Sequence, residues 1–204
     1  EAFDLAPSQI RSPFDFDGDG ISDVSVYRPS EGNWYLQRSA QGFAVIQWGI
    51  ASDKIVPADY DGDGKTDVAV FRKGENSTWY ILNSGTNTVR SLQWGASNIE
   101  QPLLFDTVVP ADYDGDGRAD YVVFRTSTNQ WLRASSANGA QSNKAFGLAG
   151  DKPVIGDFDG DGKSDVAVYR PSDGNWWWWS SFDNVQRATR WGIASDIPAP
   201  ADYD

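Results

Sequence analysis

The 204-residue chain predicts an all-β fold, a β-propeller-like array of four four-stranded blades. Three observations carry the prediction. A nine-residue Asp/Gly motif recurs at a near-constant period, each period holds four short strand-like runs, and no segment sustains the 3.6-residue periodicity of a capped helix. The motif begins at Asp15, Asp59, Asp112 and Asp157 and starts a fifth time at Asp202, giving spacings of 44, 53, 45 and 45 residues. About 45 residues is the size of one propeller blade. The repeats divide the chain into units 15–58, 59–111, 112–156 and 157–201, with a lead-in of residues 1–14 and the start of a fifth unit at 202–204. The longer second unit carries its extra residues around 98–107.

Each unit repeats the same order of elements. After the motif comes a strand-like run: Val24–Arg28, Val68–Arg72, Tyr121–Arg125 and Val166–Arg170. Turn residues follow, as in Pro29-Ser30-Glu31-Gly32-Asn33 and Pro171-Ser172-Asp173-Gly174-Asn175. A second run is aromatic, beginning at Trp34, Trp79, Trp131 and Trp176. A third ends in aromatic-Gly at Trp48-Gly49, Trp94-Gly95, Phe146-Gly147 and Trp191-Gly192. A short extended piece then leads into the next motif. The run after the motif is apolar on both faces, Val24 and Val26 against Ser25 and Tyr27 in the first unit, Val68 and Val70 against Ala69 and Phe71 in the second. A strand covered on both sides fits a sheet sandwiched between neighbouring sheets, as blades are.

The motif itself carries chemistry. Every complete copy sets carboxylates at positions 1, 3, 5 and 9 and glycines at 4 and 6: Asp15, Asp17, Asp19 and Asp23; Asp59, Asp61, Asp63 and Asp67; Asp112, Asp114, Asp116 and Asp120; Asp157, Asp159, Asp161 and Asp165. Carboxylates crowded into one tight loop repel one another unless a cation lies between them. Ca²⁺, which takes six to eight oxygen ligands, fits such a loop, whereas Mg²⁺ prefers few protein ligands and several waters. The glycines permit the positive φ values needed to wrap a small ion. The plain alternative, an Asp/Gly-rich surface turn with no metal, does not account for four copies with the same ligand positions.

The DxDGDGxxD loop, its flanking extended segment and strand, and Trp48-Gly49-Ile50-Ala51-Ser52 with its copies resemble the FG-GAP or VCBS-type repeat. The resemblance runs from about residue 10 to residue 204. It implies an extracellular β-propeller with about four Ca²⁺ ions, in loops that link the first two strands of each blade. It does not imply one activity, since such repeats serve adhesion, sugar binding and structure. On this reading the carboxylates named above are joined by the backbone carbonyls at position 7: Ile21, Lys65, Arg118 and Lys163. Those side chains fit the position only if they point away from the ion. Position 12, where an EF-hand carries a bidentate Glu, is Val26, Val70, Val123 or Val168, and no helices flank the loop, so the site is not an EF-hand.

Composition bounds what remains. No run approaches the ~18 apolar residues of a membrane-spanning helix, so membrane insertion is not expected. The chain opens Glu1-Ala2-Phe3 without Met, compatible with a processed start. The net charge of −12 argues against nucleic acid as a partner. Most of that charge belongs to the loops, which hold 16 of the 29 acidic residues, and four Ca²⁺ ions would cancel eight of the twelve excess charges.

Cysteine and histidine are both absent, which removes disulfides, thiol chemistry and imidazole bases. The acids outside the loops (Glu31, Asp53, Glu75, Glu100, Asp106, Asp151, Asp173, Asp183, Asp196) sit mainly in turns, several at equivalent positions in the repeats. Catalysis is therefore not expected. Arg28, Arg72, Arg125 and Arg170 occupy one equivalent position and read as ion pairs or carbonyl clamps of a scaffold. The run Trp176-Trp177-Trp178-Trp179 aligns with Trp34-Tyr35-Leu36 and, at its last three positions, with Tyr80-Ile81-Leu82, and reads mainly as core positions filled by a larger residue, with an exposed aromatic patch as the second reading.

Residues 10–17 and 197–204 are copies of one piece of the repeat. The duplicated strand is expected either to close the array, to belong to a longer chain, or to pair with another copy of the protein. The expected function is that of a secreted, calcium-stabilised structural or adhesive module whose partners are other copies of itself or an extracellular protein or glycan. A lectin-like binding propeller is the alternative, and a non-catalytic repeat region of a larger secreted enzyme the more remote one.

Overall fold

A computed structural model describes residues 13–74, 77–95 and 106–200. Among them are fifteen strands and no helix. The first sheet comprises β1 (Val24–Arg28), β2 (Asn33–Arg38) and β3 (Gly42–Gln47). The second comprises β4 (Lys54–Ile55), β5 (Val68–Arg72), β6 (Thr78–Leu82) and β7 (Val89–Gln93). The third comprises β8 (Asp106–Val108), β9 (Tyr121–Arg125), β10 (Gln130–Ala134) and β11 (Gln141–Ala145). The fourth comprises β12 (Lys152–Val154), β13 (Val166–Arg170), β14 (Asn175–Trp179) and β15 (Gln186–Arg190). Each sheet is an antiparallel meander in chain order. The all-β, propeller-like array of blades is thus present. The segment expected as a first strand of blade 1 begins in residues 1–12, which lie outside the described residues, as do most of the extra residues of the second unit and the start of the fifth at 202–204.

The sheets begin one strand earlier than the sequence units. β4, β8 and β12 precede a loop and pair with the strand that follows it, as in Lys54 opposite Phe71 and Ile55 opposite Val70. Bridges between Ala58 and Asp67, and between Ala111 and Asp120, close the base of the loop. The Asp/Gly motif is therefore a long hairpin connection between the first two strands of a blade.

Packing follows from two-sided strands. Trp34 and Leu36 on the back of blade 1 pack on Val68 and Val70 at the front of blade 2. Trp79 and Ile81 on the back of blade 2 meet Tyr121 and Val123 of blade 3, and Trp131 of blade 3 meets Val168 of blade 4. The tryptophans are the largest side chains in these seams, and Trp79 is edge-on to Phe71, Tyr60 and Tyr121.

The expectation of cover on both faces holds for β5, β9 and β13 and fails for β1. Val24 and Val26 are 73% and 57% exposed, whereas Val68 and Val70 are 4% and 1%. Among the described residues no blade lies in front of the first. The same reason corrects the reading of the four-tryptophan run. Trp176 through Trp179 are all half-buried. Trp177 and Trp179 pack toward blade 3, while Trp176 and Trp178 form the back of blade 4, which no further blade covers among the described residues.

Candidate metal centres

Each loop is fixed at its second residue by an aromatic anchor: Phe16, Tyr60, Tyr113 or Phe158. Tyr60 is fully buried and donates its hydroxyl to the Val56 carbonyl at 2.8 Å; Tyr113 does the same to Val109 at 3.2 Å. The backbone N–H of each anchor donates to the position-9 carboxylate, as Tyr60 does to Asp67 at 2.8 Å. The glycines at positions 4 and 6 all have φ between +79° and +87°, a region that costs an L side chain about 1–2 kcal/mol. Their amides turn inward to the first ligand: in loop 1, Gly18 and Gly20 donate to the two oxygens of Asp15 at 2.6 and 2.8 Å.

This wrapping brings carboxylates together. Asp15, Asp17 and Asp19 converge in the first loop, Asp59, Asp61 and Asp67 in the second, Asp112, Asp114 and Asp120 in the third, and Asp157, Asp159 and Asp165 in the fourth. In each trio the candidate ligand atoms lie within 4.8 Å of one another. Positions 1 and 3 take part throughout. Position 9 takes part in loops 2 to 4, while in loop 1 the third member is Asp19 at position 5. Asp63, Asp116 and Asp161 lie outside the trios and accept the amides of Lys65, Arg118 and Lys163, each at 2.9 Å.

The donor set fits a hard cation. It consists of carboxylate oxygens, with no nitrogen or sulfur ligand. Asp17 Oδ1 and Asp114 Oδ1 are buried without a hydrogen-bond partner, and a buried acceptor left unpaired is costly. Burial drives the Asp67 and Asp120 carboxyls up to about 6, with neighbouring carboxylates Asp61 and Asp114 adding to the rise. Burial and Asp63 likewise raise Asp61. Asp17 goes the other way: desolvation opposes its ionisation, but the Gln41 and Ala40 amides outweigh it and hold the carboxyl below its ordinary range.

Two features of the loops were not read from the sequence. The first is a serine in the hairpin that leads into the last strand of each blade. The backbone N–H groups of Ser39, Ser84, Ser136 and Ser181 donate to Asp23, Asp67, Asp120 and Asp165 at 2.7–3.1 Å. The recurrence of Ser 16 or 17 residues after position 9 was the available signal. The second is that the loops are joined in series. The N–H of Thr66 donates to the Asp15 carbonyl at 2.6 Å, Ala119 to Asp59 at 2.6 Å and Ser164 to Asp112 at 2.7 Å. Position-7 side chains complete the joint. A Cβ placed on Gly18 would sit 2.9 Å from Lys65 Cγ, one on Gly62 3.0 Å from Arg118 Cγ, and one on Gly115 3.1 Å from Lys163 Cγ. These long side chains lie over the preceding loop.

The arginines form the expected ion pairs. Arg72 binds Asp53 through two bonds of 2.8 and 2.9 Å, Arg125 binds Asp106 at 3.0 and 3.1 Å, and Arg170 binds Asp151 at 2.9 Å twice. Arg28 instead meets the exposed Glu31 at 3.0 Å. Asp53, Asp106 and Asp151 are thus engaged by guanidinium groups, Asp183 by Arg187, and Glu75 and Glu100 lie outside the described residues.

A family model described as an FG-GAP-like repeat matches residues 15–70 and 59–123, together more than half of the chain. Among solved structures, the chain is similar to a protein of unknown function from Bacteroides caccae, with 15% sequence identity and a TM-score of 0.51 over 82% of this chain and 57% of that one. It is also similar to BBS1N, solved in complex with ARL6DN, with 16% identity and a TM-score of 0.47 over 87% of this chain and 55% of that one. The chain therefore spans little more than half the length of these structures. No curated protein matches it.

Proposed function

The chain belongs to the FG-GAP-like repeat family, and from that premise we propose that it is a secreted, non-catalytic structural or adhesive module whose blades are locked by about four Ca²⁺ ions. The observation that carries this reading is the convergence of three carboxylates in each of four loops at the same place in the blade. Ligands held this way by backbone amides suit a joint between strands. Asp15, Asp17 and Asp19 hold the first ion, and the trios headed by Asp59, Asp112 and Asp157 hold the others, with the position-5 and position-9 carboxylates and the carbonyls of Ile21, Lys65, Arg118 and Lys163 available to complete each shell. An extracellular setting suits the absence of cysteine chemistry less specifically than it suits these loops, since millimolar Ca²⁺ sustains sites of modest affinity.

Calorimetric titration with Ca²⁺ tests the reading directly, with about four ions bound and a melting temperature that falls sharply in EGTA. A melt indifferent to EGTA ends the calcium assignment. Binding of a sugar from a glycan array in Ca²⁺ would instead favour the lectin-like alternative, for which the half-buried aromatic groove on blade 4 is the available surface.

A further inference from the structure

A guanidinium lies against two of the carboxylates that converge in loop 3, and we propose that Arg133 acts there as a built-in cation, making loop 3 the weakest of the four calcium sites. This deepens the calcium reading and rests on it.

The register of the blades puts Arg133 where the preceding blades carry an aliphatic side chain. Leu36 lies opposite Ser25, Ile81 opposite Ala69 and Arg133 opposite Val122, each two residues after the seam tryptophan. Leu36 and Ile81 are buried in the seam with the next blade. Arg133 turns instead toward the loop of its own blade. Its Nη1 lies 3.5 Å from Asp114 Oδ2 and 3.4 Å from Asp120 Oδ2, two members of the loop 3 trio. Its Nε is fixed by a 3.2 Å bond to Ser142 Oγ. Other arginines near the loops are held elsewhere. Arg38, near Asp17, donates to Gln41 and the Gly42 carbonyl, and Arg187, near Asp159, pairs with Asp183.

Loop 3 is altered where the guanidinium reaches it. The position-9 carboxylates of loops 1, 2 and 4 accept the anchor amide at 2.8 Å and the serine amide at 2.7 or 2.8 Å. For Asp120 the same two bonds are 3.2 and 3.1 Å. The serine hydroxyl differs as well. Ser39, Ser84 and Ser181 donate theirs to the position-5 carboxylates Asp19, Asp63 and Asp161. Ser136 Oγ is buried with no hydrogen-bond partner among the described residues, and its carbonyl is held by Arg90 of blade 2 at 2.7 Å.

These departures have one electrostatic consequence. A guanidinium beside Asp114 and Asp120 offsets part of the repulsion within the trio without any ion. An incoming Ca²⁺ meets a like charge there and must displace contacts that Arg133 already makes. A cavity of about 280 Å³ between blades 3 and 4, lined by Arg133, Ser142, Lys144 and Trp179 among others, gives the guanidinium room to withdraw. The site therefore fills late instead of staying shut. As free Ca²⁺ falls, loop 3 empties first and keeps two of its carboxylates paired.

Calorimetric titration of the whole chain with Ca²⁺ tests the assignment. The wild type should show one weakest event, separated from the others by about tenfold or more in affinity. Asp112→Asn should abolish that event, whereas Asp157→Asn should abolish a tighter one. Arg133→Leu, which copies Leu36, should tighten the weakest event by about tenfold or more. Arg133→Gln, which keeps a polar side chain beside the cavity, should do the same if the leucine variant does not fold. Four sites of equal affinity overturn the proposal and leave calcium binding in place. So do a weakest event that survives Asp112→Asn, and Arg133 variants that leave that event unchanged or weaker. A wild type that takes up no Ca²⁺ ends the calcium reading and this proposal together.

Discussion

Thr66 donates its backbone N–H to the carbonyl oxygen of Asp15 at 2.6 Å, so the second loop is hydrogen-bonded to the residue that heads the first. The same bond joins loops 2 and 3, and loops 3 and 4. An ion that fixes one loop therefore fixes an anchor of the next. Calcium should raise stability as one cooperative transition, by about 2.7 kcal/mol per site when the free ion is 100-fold above its dissociation constant. Differential scanning calorimetry in Ca²⁺ should show one sharp peak, and in EGTA a lower one. Four separable peaks would contradict coupling between loops.

The metal-free protein should be acid-favoured. Asp67 and Asp120 titrate near 6 when folded, against about 3.9 in an unfolded chain. Between those values the folded protein holds protons that the unfolded chain has released. Stability from these two groups is then greatest near pH 4 and declines as pH rises to about 6. Urea midpoints in EGTA should fall from pH 4.5 to pH 7, and Ca²⁺ should reverse the trend because binding needs the ionised carboxylates. A midpoint in EGTA that climbs with pH would refute this.

Gly18 and Gly160 have nearly the same φ, +82° and +80°, but different neighbours. Replacing either with Ala should cost about 1–2 kcal/mol from the backbone alone. Gly18→Ala should cost more, because the new Cβ meets the Lys65 stem, and Lys65→Ala should recover the excess. Denaturant melts of the two single variants and the Gly18→Ala/Lys65→Ala pair measure the difference.

The arginine pairs should separate by burial. Removing Arg125 takes the guanidinium away from the buried Asp106 carboxylate, so Arg125→Ala should cost about 3–5 kcal/mol. Arg28 and Glu31 are both substantially exposed, and Arg28→Ala should cost less than about 1 kcal/mol. Similar losses from the two variants in urea melts would count against this assignment.

Trp79 should be the most sensitive tryptophan. It is fully buried and donates its indole N–H to the Trp94 carbonyl at 3.0 Å. Trp79→Ala should cost about 3–5 kcal/mol. Trp191→Ala should change the melt little.

Much of this architecture was legible in the sequence because it repeats. The recurring Asp motif marked the loops, the alternation in Val68–Arg72 marked a two-sided strand, and the equivalence of Arg72, Arg125 and Arg170 marked an ion pair. What escaped depended on context beyond one unit. Val24 reads like Val68, and only the lack of a blade in front of it makes it exposed. The serines that hold position 9 act through backbone N–H groups, which leave little trace in side-chain chemistry. The tryptophans of β14 look like core residues and are half-buried, because burial on the back of a blade is a property of the next blade.

The offset between sequence repeat and sheet has a mechanical consequence. Each motif-to-motif segment ends by giving a strand to the following sheet, as Lys54–Ile55 do to β5. Neighbouring blades are therefore stitched by main chain as well as packed side by side. A segment cut out at its aspartates would lose its own first strand and carry its neighbour's, so a unit that folds after excision or grafting must be cut ahead of Lys54 and behind Gln93. Under tension along the chain, the short β4, β8 and β12 strands are the seams that would open first.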